Sequence, residues 1–120
     1  MKISSRGKTV LITGAAGNLG QRISEVFIKS NVSTLILVDK SSEGIKQLNK
    51  SVSSDQEIIF INTNLLEVET SLQEILKVLT KTKKLDILIN NAAYVGASDL
   101  SGWNEDYMQQ SLDTWDDAIK

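Results

Sequence analysis

Thr9-Val10-Leu11-Ile12-Thr13-Gly14-Ala15-Ala16-Gly17-Asn18-Leu19-Gly20 is the stretch on which the fold of this chain turns. The run from Thr9 to Ile12 is short, apolar and partly β-branched, the pattern of a strand buried on both faces of a parallel sheet. Gly14, Gly17 and Gly20 then punctuate a turn, and the spacing predicts a helix from about Asn18. At such a strand-to-helix turn, glycines allow a tight backbone path, close helix–sheet packing and the approach of main-chain N–H groups to a phosphate. The helix start adds unpaired N–H groups and a positive dipole end to the same place. The stretch therefore reads as a phosphate cradle.

Outward from the loop, strands and helices alternate. Leu19, Ile23, Val26 and Phe27 recur at helical spacing, with Gln21, Arg22, Glu25 and Lys29 on the opposite side, so the first helix is expected to run to about Ser30 and stop at Asn31. Thr34-Leu35-Ile36-Leu37-Val38 is a second buried strand, ending on Asp39. Ser41 or Ser42 is expected to cap a helix carrying Ile45, Leu48 and Val52. Ile58 to Ile61 forms a third strand. Ser71-Leu72-Gln73-Glu74 has the form of a capping box, opening a helix that presents Leu72, Ile75, Leu76 and Leu79. Leu85-Asp86-Ile87-Leu88-Ile89 is a fourth strand, running into Asn90-Asn91-Ala92-Ala93.

This β-α-β-α-β-α-β order, with a helix in every crossover, implies an α/β fold with a doubly wound, Rossmann-like parallel sheet. Its expected strand order is 3-2-1-4, truncated after the fourth strand, with the ligand crevice between strands 1 and 4 where the order reverses. Residues 1–120 then form the N-terminal dinucleotide-binding part of one domain. Residues 94–112 read as an irregular loop at the pocket, with a short helix near Glu105 to Gln110, and Asp113 to Ile119 as the first turns of another. Trp103, Tyr107 and Trp115 are read mainly as packing for that segment, the other reading being an apolar lip over a substrate pocket. A fourth strand that is apolar on both faces would leave a bare sheet edge, so the chain is expected to be a fragment or to pair that edge with another copy.

Composition removes whole classes of chemistry. The 120 residues contain no cysteine and no histidine, which excludes disulfides, thiolate catalysis and imidazole as general base, and no metal site is expected. A net charge of −2 offers nothing to nucleic acid or an anionic membrane. The first residues lack an apolar signal core, and no apolar run approaches the ~18 residues a membrane span needs. The expected setting is cytoplasmic.

A carboxylate beyond the loop narrows the ligand. Asp39, at the end of strand 2, stands at the spacing where a carboxylate accepts both ribose hydroxyls of an adenosine and repels a 2′-phosphate. Lys40 beside it could meet a 2′-phosphate, but the glycine loop has no basic residue to help. The expected cofactor is therefore NAD rather than NADP.

Taken together, Thr13-Gly14-x-x-x-Asn18-x-Gly20, Asp39, Asn64-Leu65 and Asn90-Asn91-Ala92-Ala93 resemble the short-chain dehydrogenase/reductase family over nearly the whole chain. Asn18 stands where its compact members commonly have a glycine, while Gly17 fits the T-G-x-x-G-x-x-G spacing of epimerase-like members. Asn64 stands where an aspartate often meets the adenine, and Ala93 where a glycine is frequent. The resemblance implies a cofactor site made of Thr13, Gly14, Ala16, Gly17, Asn18, Leu19, Gly20, Asp39, Lys40, Asn64, Leu65, Asn91, Ala92 and Ala93, with Asn90 bracing the sheet. It implies hydride transfer between NAD and a small alcohol or carbonyl substrate, and a homo-oligomer when complete.

The family's proton relay resembles a Ser-Tyr-Lys set with the last two as Y-x-x-x-K. Here Tyr94 is followed four residues later by Ser98, and Tyr107 by Ser111, so no catalytic residue is assigned in this chain. The other readings are a non-catalytic dinucleotide-binding module and a nucleotide-sugar epimerase-like enzyme.

Overall fold

The computed structural model describes residues 4–93; the expectations for residues 94–112, for the helix from Asp113 and for Trp103, Tyr107 and Trp115 lie outside them. Four strands, β1 (Thr9–Thr13), β2 (Thr34–Asp39), β3 (Glu57–Asn62) and β4 (Ile87–Ile89), form one sheet in the order β3-β2-β1-β4. All pairings are parallel, with Val10 opposite both Leu35 and Ile87, and Leu35 opposite Ile58. Helices α1 (Asn18–Lys29), α2 (Ile45–Asn49) and α3 (Val68–Thr82) carry the three crossovers. This is the doubly wound arrangement expected of the alternation.

Because successive strand residues point to opposite faces, β1 and β2 feed two cores at once. Val10, Ile12, Leu35 and Leu37 pack with Ala15, Ile28, Val32, Ile45 and Leu48 beneath α1 and α2. Leu11, Ile36 and Val38 face the other way and meet Ile61, Ile75, Val78 and Leu79 under α3. Every residue of β1 is buried. Each fully buried aliphatic side chain contributes roughly 1.5–3 kcal/mol, so the two central strands are the stable heart of the molecule.

Both long helices turn a different face to the sheet from the one their leucines suggest. In α1 the innermost residues are Gly20, Ser24 and Ile28, flanked by Ile23 and Phe27, while Leu19 and Val26 are exposed at 63% and 64%. The cause is close approach. A Cβ on Gly20 would stand 2.2 Å from the Gly14 carbonyl oxygen, so the helix start lies against the loop and small residues line the contact. The buried Ser24 hydroxyl donates to the Gly20 carbonyl at 2.8 Å and leaves no polar atom stranded.

α3 begins at Val68, not at Ser71, and the capping box does not form. The Asn64 side-chain oxygen accepts the Leu66 N–H at 3.0 Å and the Asn64 carbonyl accepts that of Glu67 at 2.9 Å, launching the helix earlier. Ser71 is consequently inside it, with its hydroxyl donating to the Val68 carbonyl. The sheet-facing line is Ser71, Ile75, Val78 and Leu79, and Leu72 and Leu76 lie about one position round the helix, half exposed.

α2 is also shorter than expected. Its N-terminus is Gly44 in a left-handed conformation with no side-chain cap, and Val52 packs on the core from beyond the helix. Ser41 caps nothing there because it is engaged in the turn after β2, where its N–H donates to Asp39. The end of α1 behaves as read: Asn31 adopts φ 69°, the left-handed stop that asparagine tolerates. The Gln56 amide adds donors to the Ile28 and Val32 carbonyls at 2.9 and 3.0 Å.

Candidate functional site

The C-terminal ends of β1, β2 and β4 converge on one edge of the sheet, where the strand order reverses. Gly14 turns the chain there with φ 67°, and a Cβ on it would stand 2.8 Å from Ala92 Cα, so the loop after β1 and the segment after β4 touch backbone to backbone. The Thr13 hydroxyl oxygen accepts the N–H groups of Asn91 and Ala92 at 3.1 and 3.0 Å, and the Asn91 amide donates to the Gly14 carbonyl at 3.1 Å. Among the described residues it is Asn91 and Ala92 that tie the two strand ends together by hydrogen bonds.

Gly17 is the N-cap of α1, with φ −72°, no side-chain cap and no acidic residue in the first turn. The first intrahelical donor is Gln21 N–H, to the Gly17 carbonyl at 2.9 Å. The N–H groups of Asn18, Leu19 and Gly20 therefore carry the unpaired positive end of the helix. Among the described residues a Cβ on Gly17 would meet only the Gly14 oxygen, at 3.5 Å, an ordinary contact. Nothing in the packing of the described residues requires glycine at this position.

Asp39 ends β2 beside this loop. One of its carboxylate oxygens accepts the Ala16 N–H at 2.9 Å and the other the Ser41 N–H at 3.0 Å. A carboxylate has about four acceptor sites, so roughly half its capacity remains for a ligand. Ala16, Gly17, Asn18, Gln21, Asp39, Ser41 and Glu43 line a cleft of about 500 Å³.

Of the residues expected from sequence, Ala16, Gly17, Asn18 and Asp39 meet in that cleft. Thr13, Gly14 and Gly20 shape the turn behind it. Leu19, Lys40 and Leu65 are exposed outside its lining, and Asn64, Asn91, Ala92 and Ala93 also stand outside it. Gln21, Ser41 and Glu43 are walls that sequence reasoning misses. By pattern, Gln21 belongs to the solvated side of α1 and Ser41 is a helix cap. The available signal is their nearness in sequence to Gly20 and Asp39.

Among the described residues no helix is long and apolar enough to cross a membrane.

A family model described as short chain dehydrogenase matches residues 8–120. The chain belongs to the short-chain dehydrogenase family. A short chain dehydrogenase/reductase of Gibberella zeae is 36% identical over 90 residues, covering 75% of this chain and 33% of that relative. An NAD+-bound xylitol dehydrogenase structure superposes with a TM-score of 0.64 at 27% identity, covering 78% of this chain and 36% of that one. An L-sorbose reductase from Gluconobacter frateurii, complexed with NADPH and L-sorbose, gives a TM-score of 0.77 at 22% identity over 98% of this chain and 42% of that one. The chain spans between a third and about half of the length of the curated short-chain dehydrogenases and other relatives it matches.

Proposed function

We propose that these residues bind NAD, in preference to NADP, for a protein that transfers hydride between that cofactor and a small alcohol or carbonyl substrate. The observation that carries the preference is the fixed carboxylate of Asp39, bonded to Ala16 N–H and Ser41 N–H at the strand end. The fold neighbours include one bound to NAD+ and one to NADPH. Specificity is therefore argued from this chain's own side chains. Asp39 occupies the Ala16 N–H that a 2′-phosphate would otherwise use, and it places a negative charge where that phosphate would sit. Its remaining acceptor sites suit ribose hydroxyls.

The fit to a dinucleotide is supported independently by Gly17. Among the described residues packing does not force glycine there, and Gly17 both lines the cleft beside Asp39 and caps the helix whose first N–H groups, those of Asn18, Leu19 and Gly20, are unpaired. In this reading those three donors hold the pyrophosphate, Asp39 orients the adenosine ribose, and Asn18 borders the ligand. Asn64 contributes its amide donors at the adenine, its oxygen being committed to the Leu66 N–H. Asn91 and Ala92 act from behind, fixing where Gly14 turns, and Ala93 follows them in the same segment. NAD, when bound, supplies the hydride acceptor or donor. We assign the residues of this chain to holding the cofactor, since neither Tyr94 nor Tyr107 is followed by a lysine four positions on.

Calorimetric titration of NAD and NADP into the protein and into Asp39→Asn tests the assignment. NAD is expected to bind at least tenfold tighter than NADP to the parent protein, with most of that preference lost in the variant. Equal affinities in the parent protein would overturn the specificity.

A further inference from the structure

Glu43 follows Asp39 by four residues and lines the same cleft, although no core contact calls for it. The turn that carries it is held at three points. Ser41 N–H donates to Asp39, Glu43 N–H donates to the Ser41 hydroxyl at 3.2 Å, and Gly44 presses against Gln21. A Cβ on Gly44, whose φ is 85°, would stand 2.3 Å from the Gln21 amide nitrogen. That nitrogen donates to the Ala16 carbonyl at 2.7 Å. Through Gln21, the turn after β2 is seated on the glycine loop, and Glu43 is kept at the Asp39 end of the cleft.

The lining of that cleft holds two carboxylates, Asp39 and Glu43, and no cation; Lys40, between them in sequence, is exposed outside it. Among the described residues Glu43 makes no ion pair. We propose that Glu43 is a second specificity-determining residue, a carboxylate that raises the cost of a phosphate on the adenosine ribose, with Gln21 as its positioning residue. The inference rests on the dinucleotide reading above and adds to it a charge that Asp39 alone does not supply. A 2′-phosphate would bring up to about two negative charges into a cleft lined by both carboxylates, a repulsion between solvent-accessible charges that salt weakens.

The test compares dissociation constants for NAD and NADP, by calorimetry, in the parent protein, Glu43→Gln, Glu43→Asp and Gln21→Ala. Glu43→Gln keeps shape and removes charge at an exposed position. Its ratio of NADP to NAD affinity is expected to rise three- to tenfold, with a smaller rise at high salt. Glu43→Asp is expected to keep the parent ratio, and Gln21→Ala to move it in the direction of Glu43→Gln. An unchanged ratio in Glu43→Gln, alongside a parent protein that prefers NAD, would overturn the role of Glu43 and leave Asp39 standing. A parent protein that takes neither dinucleotide would remove the underlying reading, and this inference with it.

Discussion

Gly14, Gly17 and Gly20 sit three residues apart and do three different things. Gly14 supplies the left-handed turn, and Gly20 allows α1 to lie on the loop, where a Cβ would overlap the Gly14 oxygen at 2.2 Å. Gly17 does neither. Substitution separates these roles. Gly20→Ala is expected to cost about 2 kcal/mol or more in urea denaturation, the scale of overpacking against backbone that cannot yield. Gly17→Ala is expected to cost only about 0.5–1 kcal/mol, the loss of a good N-cap residue without overlap against backbone, while NAD affinity falls at least tenfold. A Gly17→Ala protein that binds NAD normally would show that the position is plain turn chemistry.

At the scale of elements, β4 is the strand least secured by its own ladder. It has three residues and among the described residues pairs with β1 alone. Asp86, just before it, takes over the work of a strand residue: its carboxylate accepts Thr9 N–H at 2.8 Å and its own N–H donates to the Thr9 carbonyl at 2.9 Å. The Thr9 N–H, and after it Lys84 at 3.2 Å, hold the Asp86 carboxyl below its ordinary value near 3.8. A folded-state value below the unfolded one stabilises fully above the ordinary value, and the gain is lost as pH falls through the depressed one. Stability measured from pH 7 down to 2 is therefore expected to show an acid loss that is smaller in Asp86→Asn than in the parent protein. An unchanged acid limb would mean that this carboxylate does not tie β4 to β1.

The elements also show where sequence is readable and where it is not. Buried strands were legible because Val10 to Ile12 and Leu35 to Val38 are apolar at consecutive positions, which only a sheet covered on both faces tolerates. Helix faces were harder. Counting large apolar residues puts Leu19, Val26, Leu72 and Leu76 inward, whereas the contact lines run through Gly20, Ser24 and Ser71, small residues that bring backbone close to backbone. The short α2 has a related cause: Ser41, a sound helix cap by type, is bound into the cleft wall by Asp39 and Glu43.

In the whole molecule, one sheet edge collects every residue to which a binding role is assigned. Right-handed crossovers from β1 to β2 and from β3 to β4 send the helices to opposite faces, so the loop after β1 has open space before it. That placement is implied by the alternation of strands and helices, and Asp39 could be named because strand 2 visibly ends there. Gln21 and Glu43 could not, since their positions depend on how the Gly44 turn meets α1, a contact between segments more than twenty residues apart. On the α3 side, Leu88 is 51% exposed beside the buried Leu11 of β1, an apolar margin next to the binding edge. The central claim is that the open loop and Asp39 form one dinucleotide site. Titrating NAD into 15N-labelled protein and following backbone amides tests it most directly. Shifts are expected to concentrate on Ala16 to Gly20 and on Asp39 to Glu43, with saturable dependence on NAD. Saturable shifts that leave Asn18, Leu19, Gly20 and Ser41 unmoved, or no shifts at all, would contradict it.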